Sequence, residues 1–152
     1  MRFLAYTLEY KGGPVSIDLK VRCYSEPDYK EYKHIYEECF YEMRKALGLP
    51  RECCKSPEEL KKNKNNIYII EENNSIIGSV SVYGNEIDDL FVAKEHQKKR
   101  YGVKLLRFAV SVLQKENTDR IILHVADVNK AALSLYLKNG FTISSTEEIM
   151  LP

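Results

Sequence analysis

No apolar run in this sequence approaches the roughly 20 residues that a helix needs to cross a bilayer. No membrane partner is therefore expected. Neither sign of charge prevails: 23 lysines and arginines stand against 22 aspartates and glutamates, a net charge of +1. A dedicated nucleic-acid binder needs a broad positive field, so no nucleic-acid partner is expected either. CxxC pairs and paired cysteine–histidine spacings are missing. The four cysteines are Cys23, Cys39, Cys53 and Cys54, and the adjacent last two lack zinc-ligand spacing. His34, His96 and His124 fall in separate elements and offer neither a triad nor a metal site, so no metal is expected. The opening MRFLAYTLEYK alternates in character and carries charges, unlike a signal peptide. With its thiols reduced, the protein is expected to be soluble and cytoplasmic.

Internal repeats and low-complexity segments are absent as well. What is present is 152 residues, 44% apolar and 30% charged, the size and composition of a single domain (1–152) with a real core. The opening reads as a β-hairpin: Phe3 to Tyr10, a turn at Lys11-Gly12-Gly13-Pro14, then Ser16 to Tyr24. In its second half Ile17, Leu19 and Val21 alternate with Asp18, Lys20 and Arg22, which predicts one buried face. A helix follows Asp28, with Tyr32, Ile35, Tyr36, Cys39, Met43, Ala46 and Leu47 on one face, ended by Gly48 and Pro50. Ser56-Pro57-Glu58-Glu59 reads as the cap and first turn of a short second helix.

A three-strand meander is predicted next, over Ile67–Glu71, Ser75–Tyr83 and Glu86–Val92. A third helix runs from Gly102 to Lys115, with a broad apolar stripe suited to lying flat on a sheet, and a strand follows at Ile121–Val125. Two strands bracketing one helix make a right-handed βαβ unit with parallel strands. Asn129 to Asn139 is a fourth helix ended by Gly140, and Phe141–Ser144 and Glu148–Leu151 read as final strands. The fold class is α+β, or mixed α/β, around one twisted sheet.

The segment with chemical content is Val92 to Leu106. There a strand leads into Gln97-Lys98-Lys99-Arg100-Tyr101-Gly102 and directly into a helix. Strand, basic glycine-containing loop and helix N-terminus together present backbone N–H groups to an anion. Between Lys94 and Arg107 six basic residues face one acid, Glu95. A local patch in a neutral chain suits a small polyanion.

Two segments at a fixed separation, LFVAKEHQKKRYGVKLL and LHVADVNKAALSLYLKNGF, resemble the GNAT superfamily of acyl-CoA-dependent N-acyltransferases. That family has a Gln/Arg-x-x-Gly-x-Gly/Ala loop, and later an Asn, an Ala, a Tyr and a Gly-Phe. Here these are Gln97 through Gly102, then Asn129, Ala132, Tyr136 and Gly140-Phe141. The order of elements matches over essentially the whole chain. One departure is plain: the first loop glycine of the family is Arg100 here. If that position needs a positive φ, an arginine costs about 1–2 kcal/mol.

The resemblance implies a GNAT-like fold and an N-acetyltransferase that uses acetyl-CoA as co-substrate, with direct transfer to a primary amine. It implies that N–H groups from Lys98 to Val103 hold the pyrophosphate, with Lys98, Lys99, Arg100 and Lys104 adding charge. Leu90, Phe91 and Val92 would pair with the pantetheine arm, and the Leu90 N–H would polarise the thioester. Gln97, Tyr101, Gly102, Asn129 and Ala132 complete the implied cofactor set. Tyr136 would protonate the departing thiolate, and Glu86 is the candidate general base, with Asp88 and Asp89 as rivals or as attractors of the ammonium. Tyr32 and Tyr36 would contact the acceptor, which is a small molecule or a protein amino group. A monomer or homodimer is expected. A second reading, a degenerate non-catalytic acyl-CoA-binding regulatory module, rests on Arg100 alone.

Overall fold

The computed structural model describes residues 1–152. The elements follow in the order β1 (Arg2–Tyr10), β2 (Arg22–Cys23), α1 (Tyr29–Ala46), α2 (Pro57–Lys62), β3 (Ile67–Glu72), β4 (Ser75–Tyr83), β5 (Glu86–Val92), α3 (Tyr101–Lys115), β6 (Ile122–Ala126), α4 (Lys130–Leu137) and β7 (Phe141–Met150). All strands join one mixed sheet, ordered β2-β3-β4-β5-β6-β1-β7. The expected α+β class and the mixed sheet flanked by helices are both found. No helix is long and apolar enough to cross a membrane.

Strand alternation sorts the core into two layers. On one face Ile77, Val80, Val82 and Ile87 pack with Leu105, Leu106, Ala109, Val110 and Leu113 of α3, and Tyr136 of α4 joins them. On the other face Ile67, Ile69, Ile76 and Phe91 pack with Tyr32 and Ile35 of α1 and Leu60 of α2. The predicted caps hold: Ser56 Oγ accepts the Glu59 N–H at 3.2 Å, and Gly48 ends α1 with φ +68°.

The N-terminal hairpin does not form. β1 pairs antiparallel with β6 and with β7, both distant in sequence. The second half shrinks to β2, which pairs with β3 at the opposite edge of the sheet. The alternation in that stretch was real, but it marks packing rather than pairing. Val15, Leu19 and Val21 rest on the core layer of α3 while the chain crosses from β1, between β6 and β7, to β2 at the far edge, and the Val15 N–H donates to Gln114 Oε1 at 2.8 Å. The two expected C-terminal strands are one, β7. It is continuous because β1 offers a partner along its whole length, and the register slips once, beside Thr7, where Ser144 Oγ donates to the Thr7 carbonyl.

Candidate functional site

The site begins at an irregularity in β5. Its pairing with β4 slips between Ser79 and Ser81, so that Asp89 and Leu90 together oppose Val80. This is a β-bulge, which bends the strand and re-aims its side chains. Asp89 carries it with φ +49°, a conformation that aspartate tolerates better than most residues. Gly78 makes room on β4: a Cβ there would lie 2.8 Å from the Phe91 carbonyl oxygen. Beyond the bulge β5 leaves its parallel neighbour, and the β5–β6 ladder holds a single pair, Glu86 with Ile122.

The opening between these splayed strands is flanked by two cavities. The larger, about 770 Å³, brings together residues that are far apart in sequence: Leu90, Phe91 and Val92 from β5, Gln97, Lys98, Arg100, Tyr101 and Gly102 from the basic loop, and Asn129, Ala132 and Tyr136. The smaller, about 340 Å³, lies toward α1, between Tyr36, Asp88 and His124. Both are lined by Leu90, Asn129, Ala132 and Tyr136, so they meet there. Asn129 occupies the N-cap position of α4 but makes no side-chain cap bond.

The basic loop has the geometry of an anion cradle. None of the backbone N–H groups from Lys98 to Val103 donates to a backbone acceptor, and the first such bond of α3 runs from the Lys104 N–H to the Arg100 carbonyl. These donors and the positive end of a 15-residue helix open on the larger cavity. Lys98 and Arg100 both have positive φ, +65° and +69°. The family glycine position is therefore left-handed here, and the arginine adopts it at a cost of about 1–2 kcal/mol. Gln97 Nε2 anchors the loop to the Val92 carbonyl at 3.0 Å, and Cys39 Sγ donates to the same oxygen. Lys99 and Lys104 stay outside the cavity; Lys104 Nζ lies over the Tyr101 ring instead.

The smaller cavity carries the titratable groups. Tyr136 is 9% exposed, and its hydroxyl is pushed up to about 12, first by burial and then by the charge of Asp88. It therefore holds its proton at neutral pH. Asp88 lines the cavity and is open to it; partial desolvation there and then the Asp89 charge raise its carboxyl above the ordinary 3.8. One of its oxygens accepts the Asp89 N–H at 2.8 Å. Asp89 is engaged by Tyr36 Oη at 2.8 Å and Lys55 Nζ at 3.0 Å.

Glu86 lies outside this lining. Its Oε1 is 2.9 Å from Nε2 of His124, which does line the cavity and whose Nδ1 is 3.0 Å from Thr7 Oγ1. Tyr32 is also elsewhere: it is 1% exposed, wedged among Tyr24, Tyr36 and Phe91 in the core. Phe3, Phe40, Arg44, Cys53 and His124 line the cavity without having been singled out for it from the sequence. For His124 a signal existed, since it alternates with buried Leu123 and Val125 and so must face away from them. The loop bearing Cys53 is pinned by Glu37, whose Oε2 accepts the N–H groups of Cys53 and Cys54 at 3.0 and 3.2 Å.

Comparison with known proteins identifies the family. The profile described as the acetyltransferase (GNAT) family matches residues 27–141. The chain is 29% identical over 147 residues to the uncharacterized N-acetyltransferase YobR of Bacillus subtilis (strain 168), covering 90% of this chain and 49% of that one. It is 28% identical over 89 residues to streptothricin acetyltransferase A of the same organism, covering 55% of this chain and 50% of the relative. The chain thus spans about half the length of the curated relatives it matches. Among solved structures, the PaiA N-acetyltransferase of Thermoplasma acidophilum in complex with coenzyme A superposes with a TM-score of 0.67 at 18% identity, covering 86% of this chain and 94% of that one.

Proposed function

The chain belongs to the acetyltransferase (GNAT) family, and on that premise we propose that it transfers an acetyl group from acetyl-CoA directly to a primary amine. The observation that carries this reading is the meeting of the two cavities at Leu90 and Tyr136. One cavity ends on an anion cradle and suits the phosphates and arm of coenzyme A. The other bears a carboxylate and suits an ammonium.

Coenzyme A would be held by the N–H groups from Lys98 to Val103, with Lys98 and Arg100 adding charge, and by the β5 backbone from Leu90 to Val92. It supplies an acetyl thioester. The Leu90 N–H polarises the carbonyl at the bulge. Asp88 receives the ammonium and takes a proton from it, so that the nitrogen lone pair can form the new C–N bond. Its raised carboxyl makes it a better base than an ordinary aspartate. Tyr136 gives its proton to the sulfur as the C–S bond breaks, and regains one as the nitrogen of the new amide sheds its second proton. Glu86, set back behind His124, forms with it a second proton-accepting pair at the cavity wall.

The experiment is a screen of primary amines by thiol release, with the product checked by mass. Thiol release that depends on the amine and is matched by acetylated amine supports the reading. Binding of acetyl-CoA without thiol release across the panel would make the protein a non-catalytic acyl-CoA-binding module.

A further inference from the structure

The charges lining the smaller cavity are mostly committed to one another. Asp89 is held by Lys55 and Tyr36, and His124 lies between Glu86 and Thr7. Two charges are left: Asp88, beside the bulge, and Arg44, near the C-terminal end of α1. Arg44 makes no ion pair with any acid of the chain. Its Nε donates to the Pro50 carbonyl at 2.6 Å, which fixes the guanidinium and leaves its outer nitrogens free.

We infer that Arg44 is a specificity-determining residue, and that the acceptor is a primary amine carrying an anionic oxygen group several bonds from its nitrogen. This rests on the acetyl-transfer reading of the same site. The guanidinium fork matches a carboxylate or a phosphate in two parallel bonds, whereas Asp88 matches the ammonium. The spacing follows from α1. Tyr36, whose hydroxyl reaches the bulge, and Arg44 are on one helix, and eight residues at 1.5 Å each separate them by about 12 Å along its axis. This backbone spacing favours an acceptor whose two charges are several bonds apart. Phe3, Phe40 and Met43 give the connecting chain an apolar wall.

The test compares 6-aminohexanoate and 5-aminopentylphosphonate with neutral 6-aminohexanamide as acceptors, by thiol release. For the wild type, kcat/KM for at least one anionic acceptor should exceed that for the amide by about tenfold or more, and the better of the two identifies the anion. Arg44→Gln should abolish this preference, raising KM for the anionic acceptor about tenfold more than for the amide. Arg44→Lys should keep part of it, since it keeps charge but loses the fork. Equal use of anionic and neutral acceptors by the wild type overturns the assignment, whatever the variants do. So does an equal loss on both classes in Arg44→Gln that still melts cooperatively and binds coenzyme A. Failure of all amines to release thiol from bound acetyl-CoA overturns the acetyl-transfer reading instead, and the Arg44 assignment with it.

Discussion

The Tyr36 hydroxyl donates to Asp89 Oδ1 at 2.8 Å, joining the middle of α1 to the bulge of β5. Asp89 is also paired with Lys55, on the loop that follows α1. One carboxylate at left-handed φ thereby ties helix, loop and strand around the opening where the two cavities meet.

Removing Lys55 tests that tie. The Asp89 side chain is 8% exposed and would be left charged without its cation. Lys55→Met should cost about 2 kcal/mol in urea denaturation, below the roughly 3–5 kcal/mol of a fully buried pair because Lys55 itself is 28% exposed. Adding Asp89→Asn should restore much of the loss. An undiminished loss in the double variant would show that Lys55 acts by packing.

The Tyr136 hydroxyl has no hydrogen-bond partner within the chain and holds its proton at neutral pH, so its predicted role is in the chemical step. Tyr136→Phe should lower kcat by about 100-fold or more, in the range for loss of a positioned proton donor, with little change in affinity for coenzyme A. Equal losses in turnover and binding would make it a packing residue.

Arg100 adopts a conformation that glycine adopts without strain. Arg100→Gly should raise stability by about 1 kcal/mol, partly offset by the extra freedom of the unfolded chain. It should weaken coenzyme A binding by severalfold as one cation is lost. Unchanged or lower stability would mean that the left-handed loop is not strained.

The proton acceptor can be located by comparing Asp88→Asn with Glu86→Gln. Because the Asp88 carboxyl is raised, wild-type kcat/KM should begin to fall on acidification at a pH above the ordinary 3.8. Asp88→Asn should remove that limb and most of the activity. Glu86→Gln should cost less; the reverse order would give the role to the Glu86–His124 pair.

Glu37 supplies a pH-dependent contribution to stability. Burial raises its carboxyl, but Lys33 and the N–H groups of Cys54 and Cys53 outweigh it and hold the carboxyl below the ordinary 4.5. A depressed carboxyl contributes stability that is present above its unfolded value and lost as pH falls through the folded one. Glu37→Gln should therefore be less stable than wild type at pH 7, and the gap should narrow at acidic pH. A gap that does not change with pH would assign the loss to packing.

Much of this was legible in the sequence where the governing contacts are local. The β3–β4–β5 meander followed from short apolar runs separated by the turn residues Asn73-Asn74 and Gly84-Asn85, and the loop from Gln97 to Gly102 from its position between strand and helix. Pairing between distant segments was not legible. Nothing local to Phe3–Tyr10 says that its partners are Ile122–Ala126 and Phe141–Met150 rather than the next strand-like stretch. The same holds for the acceptor side. Glu86 and His124 meet only because Glu86 and Ile122 share a register in the parallel pair. Arg44, read alone, is a cation complementing a helix C-terminus; its place in the cavity depends on how α1 crosses the sheet.

The central claim is that coenzyme A and an amine occupy the two cavities together and meet at Leu90 and Tyr136. Its most direct test is calorimetric titration with a conjugate in which 6-aminohexanoate is joined through its nitrogen and an acetyl bridge to the sulfur of coenzyme A. The account predicts binding on the order of 100-fold tighter than coenzyme A alone, because the second site is filled at high effective concentration. A conjugate that binds no tighter than coenzyme A would contradict it.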